Sequence, residues 1–162
     1  TANSEQLRWC ARAIPHEYVS QLARYGHLPT LQSKVGLDGI GLRHATMVEA
    51  ALGGSIVTLG LWVDGVPCQW DRNVSVEVCT LNTPGLPKDS PYKHMRLPLV
   101  GLLKHQMASN TWHDLFKVIQ WSFAHMASGA FPSSRHDGSQ WKMSDLWRAR
   151  RHGALGYRAA LV

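Results

Sequence analysis

The sequence predicts a mixed domain of the α+β (or α/β) class, and three features carry that expectation. Residues 1–54 are helical in composition, residues 55–103 hold three segments rich in β-branched and apolar side chains, and an amphipathic stretch near 110–128 separates these from a short final strand. With 162 residues, 44% of them hydrophobic and 17% charged, the chain has apolar material for one sizeable core, which excludes two full domains and wholesale disorder.

Each element has its own local signal. Asn3 or Ser4 can cap a short helix that Pro15 interrupts, and a second helix runs from Pro15 to Tyr25 with Gly26 at its C′ position. Leu28 to Gly41, with one Pro and three Gly, reads as loop, and Leu42 to Leu52 as helix before the Gly53-Gly54 stop. Ser55 to Val63 is apolar or β-branched at nearly every position, as in a central strand covered on both faces, and Asp64-Gly65 is expected to break it. Val74 to Leu81 alternates, with Val74, Val76 and Val78 on one face and Ser75, Glu77 and Cys79 on the other, so one side faces the core. Asn82 to Pro91 is a turn region. Tyr92 to Leu103 resumes as strand, with Pro98 demanding an edge position or a bulge.

Asn110 or Thr111 then opens the strongest helix, which Gly129 closes with Pro132 beyond. Its stripe of Leu115, Ile119, Phe123 and Met126 is expected to lie on the sheet, with His113, Lys117 and Gln120 opposite. Phe131 to Trp141 reads as loop, Ser144 as the cap of a short helix through Arg151, and Arg158 to Val162 as a further strand. The organisation that results is a helical lead-in at 1–54 and a partial core at 55–162, carrying a basic insert at about 130–156. A chain that stops inside a strand points to a core truncated at its C-terminus.

Charge is distributed unevenly. Residues 1–80 carry a net charge of −1 and the remainder +7, for a total of +6. A basic half interleaved with Trp112, Trp121, Trp141 and Trp147 suits a polyanion, because Lys and Arg displace phosphate counterions and aromatic rings stack on bases. Arg135, Lys142, Arg148, Arg150 and Arg151, with His152 beside them, form the densest basic surface, although cations near a helix C-terminus also answer the helix dipole. Cys10, Cys68 and Cys79 are odd in number and irregularly spaced, which predicts reduced, buried thiols and no zinc site. No apolar run approaches bilayer length and no secretory leader is present, so the expected compartment is intracellular, without a membrane.

The element order, three successive antiparallel strands, a helix, and a strand returning beside the first, is that of the opening β-β-β-α-β half of a ribonuclease-H-like sheet. Asp64 ends the most apolar strand, where a buried carboxylate needs a cation or donors around it. A divalent ion would supply that need and, with a second one, activate water or a 3′-hydroxyl for phosphoryl transfer. A turn aspartate in an Asp-Gly pair is the ordinary alternative. His136-Asp137, in a Gly-flanked loop, could add a general base or a second metal ligand, or be turn chemistry alone. Glu77-Val78-Cys79 after Asp64 has Cys where a nuclease would need Lys.

The segment Thr58-Leu59-Gly60-Leu61-Trp62-Val63-Asp64-Gly65-Val66-Pro67, followed by Ser75-Val76-Glu77-Val78 and Leu81-Asn82-Thr83-Pro84-Gly85-Leu86-Pro87, resembles the opening of the ribonuclease-H-like catalytic core of CACTA-class and related cut-and-paste DNA transposases. Ser134-Arg135-His136-Asp137-Gly138 and Arg158-Ala159-Ala160-Leu161-Val162 are similar to segments of transposon-like proteins multiplied in dinoflagellate genomes. The resemblance implies a nuclear mobile-element protein whose parent cuts and joins DNA with Mg²⁺ or Mn²⁺, with Asp64 as the first catalytic acid. The second and third acids are missing before Val162, so this stretch alone is expected to be inactive. The alternative is a non-catalytic nucleic-acid-binding domain, for DNA or RNA, that acts through the basic half.

Overall fold

The computed structural model describes residues 12–68, 74–90, 96–151 and 153–162. The helix expected at Asn3 or Ser4, the start of the segment expected from Tyr92, Cys10 and His152 lie outside these residues. The first helix, α1 (Pro15–Arg24), has Pro at its first position, where no N–H is needed, and Tyr25 as its C-cap. A single turn, α2 (Leu28–Leu31), falls inside the stretch expected to be loop. The third helix, α3 (Gly39–Leu52), starts three residues before Leu42. The reason is Asp38: its carboxylate accepts from the N–H groups of Ile40 (3.1 Å) and Gly41 (2.7 Å), an N-cap strong enough to carry two weak helix formers.

Four strands follow: β1 (Ile56–Pro67), β2 (Ser75–Asn82), β3 (Leu97–Leu103) and, after α4 (Thr111–Ser128) and the short α5 (Leu146–Ala149), β4 (Arg158–Leu161). The sheet order is β3-β2-β1-β4. β1 and β3 each pair antiparallel with β2, and β4 runs parallel to β1, with Ile56 opposite Arg158 and Leu59 opposite Leu161. The fold is thus a mixed α+β domain built on a four-stranded mixed sheet.

Two expectations for the strands are corrected. Asp64-Gly65 does not break β1: the register with β2 is continuous from Gly60↔Asn82 to Pro67↔Ser75, with Asp64 opposite Val78 and Gly65 opposite Glu77. A ladder that satisfies backbone donors and acceptors on both sides of the pair outweighs the local turn preference of Asp-Gly. The chain turns later, where the Cys68 N–H donates to the Val74 carbonyl at 2.8 Å. Nor is β1 covered on both faces throughout, since only its first four residues are buried.

The core lies between the sheet and α4. Leu115, Ile119 and Met126 pack against Val57, Leu59, Cys79, Leu81, Leu99, Val100 and Ala159, and Val19 of α1 and Leu31 of α2 belong to the same cluster. Burying each of these larger side chains stabilises by about 1.5–3 kcal/mol. The core side of β2 is therefore that of Cys79 and Leu81, and Val76 and Val78 face the other way. Both devices foreseen for Pro98 are present: β3 is an edge strand, and its register with β2 shifts between Cys79 and Thr80. Burial pushes the Cys79 thiol up to about 11, whereas Cys68 is exposed, contrary to the expectation that it is buried. No described helix is long and apolar enough to cross a membrane.

Candidate functional site

Asp64 lies on the exposed half of β1. Strand alternation puts it on the same face as Trp62 and Val66, while Val57, Leu59 and Leu61 turn towards α4. It is five residues past Leu59, the last β1 position paired with β4. Glu77, the one other carboxylate on the four strands, reaches across Gly65 on the opposite face and lies 3.8 Å from Lys104. The sequence expectation of a carboxylate enclosed between central strands beside a neighbouring acid is therefore not what Asp64 shows. An antiparallel extension of β1 carries it out into water.

Asp137 is fully exposed and is engaged in its own turn. Its Oδ1 accepts from the Ser139 N–H at 2.9 Å and from the Ser139 hydroxyl at 2.6 Å, and the hydroxyl bond leads the effects that hold its pKa below the usual carboxylate value. Among the described residues, no group of three or more His, Cys, Asp or Glu side chains is arranged to hold a metal ion. Among the described residues, the carboxylates around Asp64 thus do not fit a two-metal centre.

In the basic segment, by contrast, Arg148 and Arg151 converge on Trp147. The segment's short helix is not capped by Ser144. A 3₁₀ turn, Met143–Asp145, leads into α5, and the Asp145 carboxylate turns to Arg148 (2.8 Å) instead of to backbone donors. Arg148 also donates Nε–H to Glu17 Oε1 at 2.6 Å and Nη2–H to Oε2 at 3.1 Å, a two-pronged bond across 131 residues of sequence. The Glu17 bond is the leading reason its pKa is raised. Arg148 is thus consumed by two carboxylates and serves to fasten α5 to α1.

The other cations are differently placed. Arg135 and Arg151 are half-buried, Lys142 and Arg150 are exposed, and none of the four has an ion-pair partner among the described residues. Trp147, 45% exposed, has the Arg148 and Arg151 guanidinium carbons 4.4 and 4.9 Å from its ring centroid. Arg151 also lies 5.9 Å from the Phe131 ring. Beside this stack is a narrow cleft lined by His16, Phe131, Pro132, Trp141, Arg148 and Arg151, with Glu17 completing its wall.

His16 forms the floor of the cleft and escaped notice in the sequence. It is 2% exposed, its backbone N–H donates to Ser122 Oγ at 2.9 Å, and its Nδ1 lies 2.9 Å from the same oxygen. Burial, then the nearby His125, Arg148 and Arg151, lower its pKa to about 3, so the ring is neutral. Its carbonyl accepts from Tyr157 (2.8 Å) and Ser20 (2.6 Å). The edge of Trp121 meets His16 at 5.2 Å, His125 at 5.5 Å, His136 at 6.3 Å and Trp141 at 6.2 Å. His136 is an aromatic packing partner of Trp121, and burial, the leading effect, lowers its pKa while the neighbouring Asp137 charge acts to raise it. A Pro-His pair opening a helix was the only sequence signal for His16, and it is shared by many exposed histidines.

Comparison of the chain with protein-family models, with curated proteins and with solved structures finds no match in any of the three.

Proposed function

We propose that this chain is a nucleic-acid-binding domain whose contact surface is the basic and aromatic face around α5. The observation that carries the reading is half-exposed Trp147 with the Arg148 and Arg151 guanidinium groups against its ring, in a segment where Arg135, Lys142, Arg150 and Arg151 have no carboxylate partner among the described residues. Cations so placed release counterions from a phosphate backbone, and they position a polynucleotide without reading its sequence. Arg148 supports the surface from beneath.

A second reading keeps the transposase-like parent. The order β3-β2-β1-β4 with β4 parallel to β1 is compatible with the first half of a ribonuclease-H-like sheet. In that reading this chain supplies binding, and strand cleavage with Mg²⁺ or Mn²⁺ would need acids other than Asp64 and Asp137. The test is a fluorescence anisotropy titration with a labelled oligonucleotide. The variant with Arg135, Lys142, Arg150 and Arg151 all changed to Gln should lose binding, whereas Asp64→Asn should bind as the wild type does. Equal affinity of wild type and the quadruple variant would overturn the assignment.

A further inference from the structure

We infer that the surface formed by Trp147, Arg151 and Phe131 takes an unpaired nucleobase, so that the chain prefers single-stranded polynucleotide to duplex; the inference rests on the nucleic-acid reading above. Two observations converge on it. Trp147 is a large aromatic side chain left 45% exposed and packed by guanidinium groups instead of by the core. Arg151 links its ring to that of Phe131, so flat cationic and aromatic surfaces follow one another at the mouth of the cleft. Bases of a single strand stack on aromatic rings and on arginine planes alike, and those of a duplex are hidden in their own stack.

The charge arrangement separates this from simple phosphate binding. Inside the cleft, Arg148 is balanced by Glu17 and Asp145, and His16 is neutral. Arg151 at the cleft and Arg135, Lys142 and Arg150 in the flanking segment have no ion-pair partner among the described residues. A strand would thus set its phosphates on these cations and one base against the aromatic surface of Trp147 and Phe131. Cations alone would favour the duplex, whose phosphates are more densely spaced. A preference for single strand is therefore evidence of stacking.

The experiment compares three labelled probes of equal length with the wild-type chain at one salt concentration: a single DNA strand, the same strand with abasic sites, and the duplex. A ribonucleotide strand run alongside identifies the preferred sugar, and either preference is compatible. The intact strand should bind about tenfold more tightly than the abasic one and more tightly than the duplex, and a duplex bound as tightly as the intact strand would overturn the preference. A 2-aminopurine base in the strand should change in fluorescence on binding, a readout that needs no protein variant. Trp147→Leu should erase the difference between intact and abasic strands while leaving the abasic affinity in place. Equal affinity for intact and abasic strands overturns the base-stacking inference and leaves the phosphate surface standing. Failure of every probe to bind overturns both.

Discussion

Replacing Arg148 by Gln tests whether the segment's most elaborately bonded arginine belongs to the fold or to the ligand. The substitution removes three charge-assisted hydrogen bonds, two to Glu17 and one to Asp145. Each such bond is worth about 1.5–3 kcal/mol net, and breaking a fully buried pair costs about 3–5 kcal/mol. Side-chain exposures of 25% for Arg148, 18% for Glu17 and 19% for Asp145 leave water a path to the freed carboxylates. The expected loss is accordingly near the low end, about 2 kcal/mol, or about 4–8 °C in Tm for a chain of this size. Circular dichroism melts at neutral pH measure it directly. Arg150→Gln, at an exposed position without an ion pair among the described residues, should change stability by no more than about 0.5 kcal/mol. A Tm for Arg148→Gln within about 1 °C of wild type would refute the structural role.

Three further outcomes follow from the geometry. His16 has a folded pKa of about 3 against an unfolded value near 6.5, so the unfolded chain binds the proton more readily. Its contribution is complete above about pH 6.5 and should fall by roughly 1 kcal/mol per pH unit on acidification, until the folded pKa is reached; urea unfolding at several pH values measures the slope, and stability that holds constant or rises towards pH 4 would contradict it. Gly85→Ala would put a Cβ 2.1 Å from the Ser33 carbonyl oxygen and 2.4 Å from Thr58 Oγ1, so a loss of about 3 kcal/mol or more is expected in chemical denaturation. Leu59→Ala, at a fully buried position, should lose about 2–5 kcal/mol by the same measurement.

The elements most legible in the sequence were those whose signals are local. Pro15 and Gly26 bracket α1, Gly129 closes α4, and the stripe Leu115, Ile119 and Met126 does face the sheet. Pro98 announced an edge strand because a missing backbone donor is tolerated in few other places. What was misread depended on partners distant in sequence. Asp64-Gly65 looks like a turn until β2 is laid beside it, and once β1 continues, Asp64 passes beyond the reach of β4. The alternation in β2 left open which side is core, and the cluster shared with α4 makes it the Cys79 side.

The candidate site divides in the same way. Arg135, Lys142, Arg150 and Arg151 could be named as a basic cluster from composition alone. That Arg148 differs from them is decided by Glu17, a residue of another helix. His16 and Phe131 likewise join the cleft only through the packing of α1 against α4 and the loop that follows it.

The salt dependence of polynucleotide binding bears most directly on the claim that unpaired cations around α5 hold phosphate. For single-stranded probes, the logarithm of the association constant should fall linearly with the logarithm of salt concentration, by about 0.7 in slope for each phosphate neutralised. Changing Arg135, Lys142, Arg150 and Arg151 together to Gln should therefore flatten the slope by about 3. Identical slopes for wild type and variant would show that these four side chains do not touch the phosphates.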